Sequence, residues 1–242
     1  MKQLQILMPM AGLGLRFKNS GISLLKPLIE VQGEPMFKKA LGSIPLEEFE
    51  CKIIFVVKKI DEQEFHLTSQ FHKYSPRAEI VVIDHMTRGA LETCYQAKTK
   101  ICSDLPLLIL DCDLQFTSKS FFDFLKNEQL GDVAGALVSF SSDHPRYSYA
   151  KIENGDVVCT AEKKVISNNA LAGAYYFSQA SFFFGEAENV LNEKKSAVDE
   201  YPFYISPIYN KLISKNYKVK LFSTDTYFSF GTPEELALVN HE

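Results

Sequence analysis

Four short, almost unbroken apolar runs punctuate the first half of the chain: Leu4–Met10, Cys51–Val57, Glu79–Ile83 and Leu107–Leu110. Continuous apolar character of this length predicts strands buried on both faces. Pro106 stands just before the last run, where the first residues of a strand tolerate a missing N–H. Stretches near Met36–Ser43, Asp61–His72 and Leu91–Ile101 are amphipathic and predict helices between the strands. Buried strands spaced by helices can bury their faces in few ways. The pattern predicts an α/β chain with a mostly parallel sheet covered on both sides, a three-layer α/β/α arrangement.

The second half changes character. Asp132–Phe140, Tyr149–Glu153, Val157–Glu162 and Leu171–Phe177 read as strands with fewer helices between them, which makes the sheet mixed. Asn154-Gly155 predicts a tight hairpin, since both residues accept positive φ. Helices are expected again at Gln179–Asn192 and Phe203–Lys215, a final strand at about Tyr217–Phe222, and a last helix opened by Pro233. No linker-like segment interrupts the chain, so residues 1–242 read as one domain.

With 242 residues, 46% of them hydrophobic, the chain can bury a full core. A net charge of −4 argues against nucleic acid as the main partner, because such proteins carry a basic face. The five cysteines (Cys51, Cys94, Cys102, Cys112 and Cys159) have neither zinc spacing nor the density of a disulfide framework, and read as small buried hydrophobes. The histidines show no ligand spacing. No apolar stretch approaches the roughly 18 residues of a membrane span, and no leader is evident, so the expectation is a cytoplasmic protein without a membrane partner.

Two features carry chemistry. The first is Met10-Ala11-Gly12-Leu13-Gly14-Leu15-Arg16, directly after the first strand, with Lys26 not far beyond. Gly12 and Gly14 would let backbone N–H groups approach a phosphate, and two cations following them suit a triphosphate. Position 17 is Phe, which removes the third glycine of a dinucleotide fingerprint, and the Walker signature is absent. The second is the strand end Leu110-Asp111-Cys112-Asp113. Side chains two apart on a strand point the same way, so two carboxylates would lie side by side, an arrangement that a cation relieves. Mg²⁺, held by one or two carboxylates plus phosphates, is the usual choice in phosphoryl chemistry.

Leu7-x-Pro9-x-Ala11-Gly12-x-Gly14-x-Arg16-Phe17, followed by Lys26-Pro27-Leu28-Ile29-x-Val31-x-Gly33-x-Pro35-Met36, resembles the N-terminal motif of the sugar-phosphate nucleotidyltransferases, the NDP-sugar pyrophosphorylases. The resemblance extends in order along nearly the whole chain. One departure is Leu25, where many members have proline. It implies a Rossmann-like fold of the nucleotide-diphospho-sugar transferase type, with about residues 1–115 holding the NTP and about 116–242 the acceptor. It implies a glycine loop of Met10, Ala11, Gly12 and Gly14 around the nucleotide, with Arg16 and Lys26 on its phosphates. Thr87-Arg88-Gly89-Ala90 would contact the base, with Thr87, Gly89 and Ala90 as its residues, though Thr87 also suits a helix N-cap. Asp113 would be the metal residue and Asp111 its neighbour in the nucleotide site.

Further along, Glu162-Lys163-Lys164 before Gly173-Ala174-Tyr175-Tyr176-Phe177 matches the family's acceptor strands. This implies Lys163, or else Lys164, on the acceptor phosphate, and Glu162 and Gly173 at the acceptor body. Glu200–Asn210 resembles a segment that packs near the acceptor, which puts Tyr209 either there or in the core. The family's second metal aspartate stands two residues before a late Gly-Thr-Pro, here Gly231-Thr232-Pro233. That position is Ser229, a poor Mg²⁺ ligand. Either one carboxylate suffices, or Asp225 reaches in as a second metal ligand, or activity is weakened.

The implied reaction joins an NTP to a phosphorylated small molecule and releases pyrophosphate, with Mg²⁺ as cofactor and Arg16, Lys26, Asp113 and Lys163 as catalytic residues. The acceptor phosphate is already anionic, so no general base is needed. A sugar 1-phosphate ranks first as acceptor, and supply of precursors for cell-surface polysaccharide biosynthesis is the expected role. A cytidylyltransferase acting on a non-sugar phosphate, a non-catalytic nucleotide sensor and a D-x-D glycosyltransferase compete with it. Homo-oligomerisation is left open.

Overall fold

The computed structural model describes residues 1–127, 132–193 and 203–241. In chain order the elements are β1 (Lys2–Pro9), α1 (Leu15–Asn19), β2 (Glu30–Val31), β3 (Glu34–Pro35), α2 (Met36–Leu41), β4 (Phe49–Lys58), α3 (Lys59–Phe65), α4 (Leu67–His72), β5 (Glu79–Ile83), α5 (Ala90–Tyr95), β6 (Leu107–Leu110), β7 (Leu114–Thr117) and α6 (Lys119–Lys126). They continue as β8 (Val133–Ser141), β9 (Tyr149–Glu153), β10 (Asp156–Ala161), β11 (Asn169–Phe177), α7 (Ala180–Glu193), α8 (Pro207–Ser214), β12 (Lys218–Ser223), β13 (Thr226–Ser229) and α9 (Pro233–His241).

Nine of these strands form one mixed sheet. β5, β4, β1 and β6 lie side by side and parallel, as the apolar runs predict. β11 then runs antiparallel to β6 and to β8, and β12 pairs parallel with the far edge of β8. Alternate residues of the central strands enter opposite layers. Ile6, Met8, Phe55, Val57, Leu108 and Leu110 pack with Phe37, Phe71 and Phe121 from α2, α4 and α6. Leu7, Ile54, Val56, Leu107 and Ile109 pack with Leu91, Phe183 and Ile208 from α5, α7 and α8. The three-layer α/β/α expectation is met, and it leaves the carboxyl ends of β1 and β6 free to carry loops, where open α/β sheets bind ligands.

Three local features depart from the sequence reading. The stretch Asp61–His72 is two helices, broken at His66, which sits at φ 50°. The Leu91–Ile101 helix stops at Tyr95, and a single tight turn, Lys98–Lys100, follows. The helix expected over Phe203–Lys215 is confined to Pro207–Ser214. Asn154 and Gly155 adopt φ of 52° and 82° and close the β9–β10 hairpin as expected. Gln32 and Gly33 do the same between β2 and β3.

The two-stranded ladder of β7 and β13 was not foreseen, and it brings a late segment to the site: Ser229 pairs with Leu114 and Thr226 with Thr117. Beside it, Phe17, Ile29, Val31, Met36, Phe230, Leu236 and Val239 form a small core of their own. That cluster seats α9 against the glycine loop's helix, and so fixes Gly231 beside the end of β6.

Candidate active site

The loop after β1 is shaped by its glycines. Gly14 adopts the left-handed conformation (φ 62°, ψ 28°) and its carbonyl accepts the N–H groups of Phe17 and Lys18, which starts α1. A Cβ on Gly14 would lie 3.4 Å from Cβ of Lys26, so loop and lysine pack together. Gly12 faces open space. Met10 and Ala11 are buried, and Met10 is the one of the two that borders the cavity under the loop. This loop, with Arg16, Lys26, Pro27, Cys112 and Gly231, lines a cavity of about 390 Å³. A second cavity of about 370 Å³ continues from it, sharing Pro9, Arg16, Lys26, Cys112 and Gly231.

Asp111 and Asp113 both line the second cavity, as does Cys112 between them; β6 ends at Leu110, so the strand alternation expected for the two carboxylates does not extend over this segment. Nζ of Lys26 donates to Oδ2 of Asp113. Burial disfavours charge on Asp113, but the charge and hydrogen bond of Lys26 outweigh it and hold the carboxyl below its ordinary range. Burial likewise opposes charge on Lys26, and Asp113 reverses the balance, so its pKa is raised. Asp111 has no such partner. Burial, and then the negative charge of Asp113, push it up to about 8.

Two glycines make room for these carboxylates. A Cβ on Gly173, which bends β11 at φ 79°, would stand 2.8 Å from Oδ2 of Asp111; a Cβ on Gly231 would stand 2.6 Å from Oδ2 of Asp113. Among the described residues no group of three or more His, Cys, Asp or Glu side chains forms a cage. The pair Asp111 and Asp113 suits Mg²⁺ all the same, since that ion typically takes one or two carboxylates and completes its shell with water and phosphate. The absence of a Cβ at Gly173 and Gly231 leaves room beside both carboxylates, although Lys26 holds Oδ2 of Asp113.

At the other end of the cleft, Glu162 accepts hydrogen bonds from the hydroxyls of Ser148 and Ser206. Lys163 takes φ 51°, projects from the strand end, and donates to the Tyr204 hydroxyl at 2.6 Å. Both line the cavity with Gly173, so Arg16, Lys26, Asp111, Asp113, Glu162, Lys163 and Gly173 share one cleft. Lys164 is exposed and is not part of its lining.

Four of the expected site residues, Asp225, Tyr209, Gly89 and Thr87, are engaged with other parts of the chain. Asp225 does not reach Asp113: it is exposed, and its Oδ2 accepts the N–H of Lys119 at 2.7 Å, capping α6. β13 runs from Thr226 to Ser229 along β7, so Asp225 lies at the end of the ladder away from the carboxylates. Tyr209 is fully buried, donates to the carbonyl of Tyr176 at 2.9 Å and stacks on Phe177; it is core, not acceptor contact. Gly89, at φ 148°, is required by the chain itself, since a Cβ there would meet the backbone of Phe203 at 2.4 Å. Thr87 does not cap α5 with its side chain; its hydroxyl pairs with that of Thr93. Ala90 lines the cleft. Of the segment Glu200–Asn210, residues 200–202 lie outside the described residues.

The wall facing Asp113 holds residues that spacing alone does not point to. Ser229 stands there, as the late Gly-Thr-Pro implies. Glu235, in the first turn of α9, and Arg146, in the turn between β8 and β9, pair through Oε1 and Nη2. The signal for Arg146 is its place beside Tyr147 and Ser148; the signal for Glu235 is its place just after Pro233.

The chain has the nucleotide-diphospho-sugar transferase fold, a mixed sheet that here carries a glycine loop after β1 and a pair of carboxylates after β6. Among solved structures it is similar to the nucleoside-diphosphate-sugar pyrophosphorylase from Vibrio cholerae RC9, at 22% identity and a TM-score of 0.81, over 98% of this chain and 100% of that one. It is also similar to the inositol-1-phosphate CTP transferase from T. maritima, at 15% identity and a TM-score of 0.72, over 99% of this chain and 95% of the other. No family model matches the chain, and no curated protein matches it in sequence.

Proposed function

We propose that the chain is a Mg²⁺-dependent nucleotidyltransferase that joins an NTP to a phosphorylated acceptor, a sugar 1-phosphate first, and releases pyrophosphate. One observation carries the reading. The glycine loop, Arg16 and the Lys26–Asp113 pair stand at one end of a continuous cleft, and Glu162 and Lys163 at the other. That is the charge layout needed to bring two anions together.

An acceptor phosphate oxygen attacks the α-phosphorus in line. The new P–O bond forms as the α–β bridging bond breaks, and pyrophosphate leaves with the electron pair. The glycine loop positions the nucleotide, Arg16 holds the departing pyrophosphate, and Lys26 holds phosphates near the reacting centre. Lys163 takes the acceptor phosphate and Glu162 the acceptor body. Most of the rate enhancement then comes from positioning and charge screening, as in other phosphoryl transfers. Asp113, with Asp111 behind it, would hold Mg²⁺, which when bound offsets the charge of the phosphates.

The two solved relatives act, by their names, on a sugar-linked nucleotide and on CTP with inositol 1-phosphate. Both acceptor classes therefore belong in the test: pyrophosphate release from each common NTP and dTTP with sugar 1-phosphates and non-sugar phosphates. Lys26→Ala and Asp113→Asn are expected to lose activity by roughly a hundredfold or more. Ser229, a hydroxyl where a carboxylate is expected, favours a second reading, a nucleotide-binding protein without turnover. Silence with every substrate pair alongside tight NTP binding would select that reading, and a rate gain in Ser229→Asp would reject it.

A further inference from the structure

Arg146 lines the cleft together with Asp113, Ser148 and Lys163. Its guanidinium lies over the Tyr147 ring, 4.5 Å from the centroid. Nη2 contacts both the Tyr147 hydroxyl and Oε1 of Glu235, and the Tyr147 hydroxyl itself lies 3.1 Å from the same carboxylate oxygen. Tyr147 is set edge-on against Phe140, which stacks on Tyr227 of the β13 ladder. The arginine is therefore seated on a rigid aromatic column and steered by a carboxylate from α9.

Its hydrogen bonding is incomplete. Both contacts run through Nη2, while Nε is buried with no hydrogen-bond partner. A guanidinium presents five donors in a planar fork that matches phosphate oxygens. Here 30% of the side chain stays exposed. Glu235 approaches the same face of Gly231 as Asp113 does, so this cation stands on the wall beside Asp113.

We propose that Arg146 is a phosphate-contacting residue of this cleft, its fork receiving anionic oxygens of a bound substrate in a seat built by Tyr147 and Glu235. The assignment rests on the nucleotidyltransferase reading for the identity of the substrate, and on the geometry for the anion. Its source is either the polyphosphate of the nucleotide or the monophosphate of the acceptor.

The test is calorimetric titration of the full chain with inorganic pyrophosphate, and separately with inorganic phosphate, each with Mg²⁺. Wild type is compared with Arg146→Met and with Arg146→Met/Glu235→Gln, in which no carboxylate is left buried without its partner. Both variants should bind at least one anion roughly tenfold more weakly. Loss for pyrophosphate alone assigns the arginine to the nucleotide; loss for phosphate alone assigns it to the acceptor. Wild-type affinity for both anions in the double variant overturns the proposal and leaves Arg146 as a clamp between its turn and α9. Arg146→Lys keeps the charge opposite Glu235 and loses the fork; folded and several-fold weaker for the same anion, it supports the proposal, and unchanged, it counts against it. Anion binding needs no turnover. Arg146-dependent binding in a protein that never releases pyrophosphate would therefore sink the enzymatic reading alone, whereas turnover unaffected in the double variant would sink this one alone.

Discussion

Lys26 is paired with Asp113: its Nζ donates to Oδ2, the same oxygen that a Cβ on Gly231 would crowd, so on the proposed reading the lysine sits where a metal ion would bind that oxygen. A metal ion can take that oxygen only by displacing the lysine, and the displaced lysine then needs an anion. Metal and phosphate should therefore arrive together. Mn²⁺ alone, followed by its EPR signal, is expected to bind weakly, and a nucleotide to raise its affinity. Lys26→Met should tighten metal-only binding by about tenfold while abolishing turnover. Equal metal-only affinity in the two proteins would show that the lysine is no competitor.

The two glycine cradles should respond differently to alanine. Gly173 is at positive φ, and its Cβ would also press on Leu114 at 2.5 Å, so Gly173→Ala is expected to cost about 1–3 kcal/mol in chemical denaturation. Gly231 carries no positive φ. Gly231→Ala should melt near the wild-type temperature yet lose most of its metal binding, because the methyl group displaces the Asp113 carboxylate.

Asp111 sets a pH dependence. Its pKa in the folded protein is raised to about 8, so between about pH 4 and 8 the folded state binds a proton that the unfolded chain has released. Stability then falls as pH rises through that window. Urea midpoints of the metal-free protein should drop from pH 5 to pH 8.5, and less so in Asp111→Asn. A profile that is the same in both proteins would remove Asp111 as the cause.

Thiol labelling offers a check on burial. Cys102 is exposed, whereas Cys94 and Cys112 are buried, and burial pushes the Cys112 thiol up to about 12. Since the thiolate is the reactive form, iodoacetamide near neutral pH should modify Cys102 first and leave Cys94 and Cys112 untouched until denaturant is added. Early labelling of Cys112 would mean that the reagent reaches it through the cleft, whose two cavities it lines.

Tyr209→Phe separates core from site. The lost hydroxyl removes one buried hydrogen bond to the Tyr176 carbonyl, which keeps its place in the ladder with β8, a cost of about 1 kcal/mol. Acceptor KM should be unchanged. A shifted KM at wild-type stability would return Tyr209 to the acceptor site.

The parallel centre of the sheet was legible because each of its strands is apolar on both faces, a pattern with few other solutions. Arg16 and Lys26 were legible as residues of one cleft because they follow a glycine turn, and Asp111 and Asp113 because they follow an apolar strand, although β6 ends at Leu110 and its alternation does not extend over them. What sequence could not convey is what meets across long separations. The cap of α6 comes from Asp225, more than a hundred residues away, so nothing local marks its start. That tertiary role also holds Asp225 away from Asp113. Gly89 looked like a ligand-facing glycine, since close backbone approach reads the same whether the neighbour is a nucleotide or, as here, Phe203. Arg146 and Glu235 each look like surface charges until β8, β9 and α9 are folded together.

The contact at Gly89 reaches further than the turn it shapes. The Phe203 N–H donates to the Arg88 carbonyl and its own carbonyl accepts the Leu91 N–H, while the next residue, Tyr204, holds Lys163. The loop between β5 and α5 and the cleft lysine Lys163 thus hang from one short stretch of backbone. Recombining this chain with a relative would have to move Thr87–Leu91, Phe203–Tyr204 and Lys163 as a single block; exchanged separately, each would arrive without its anchor.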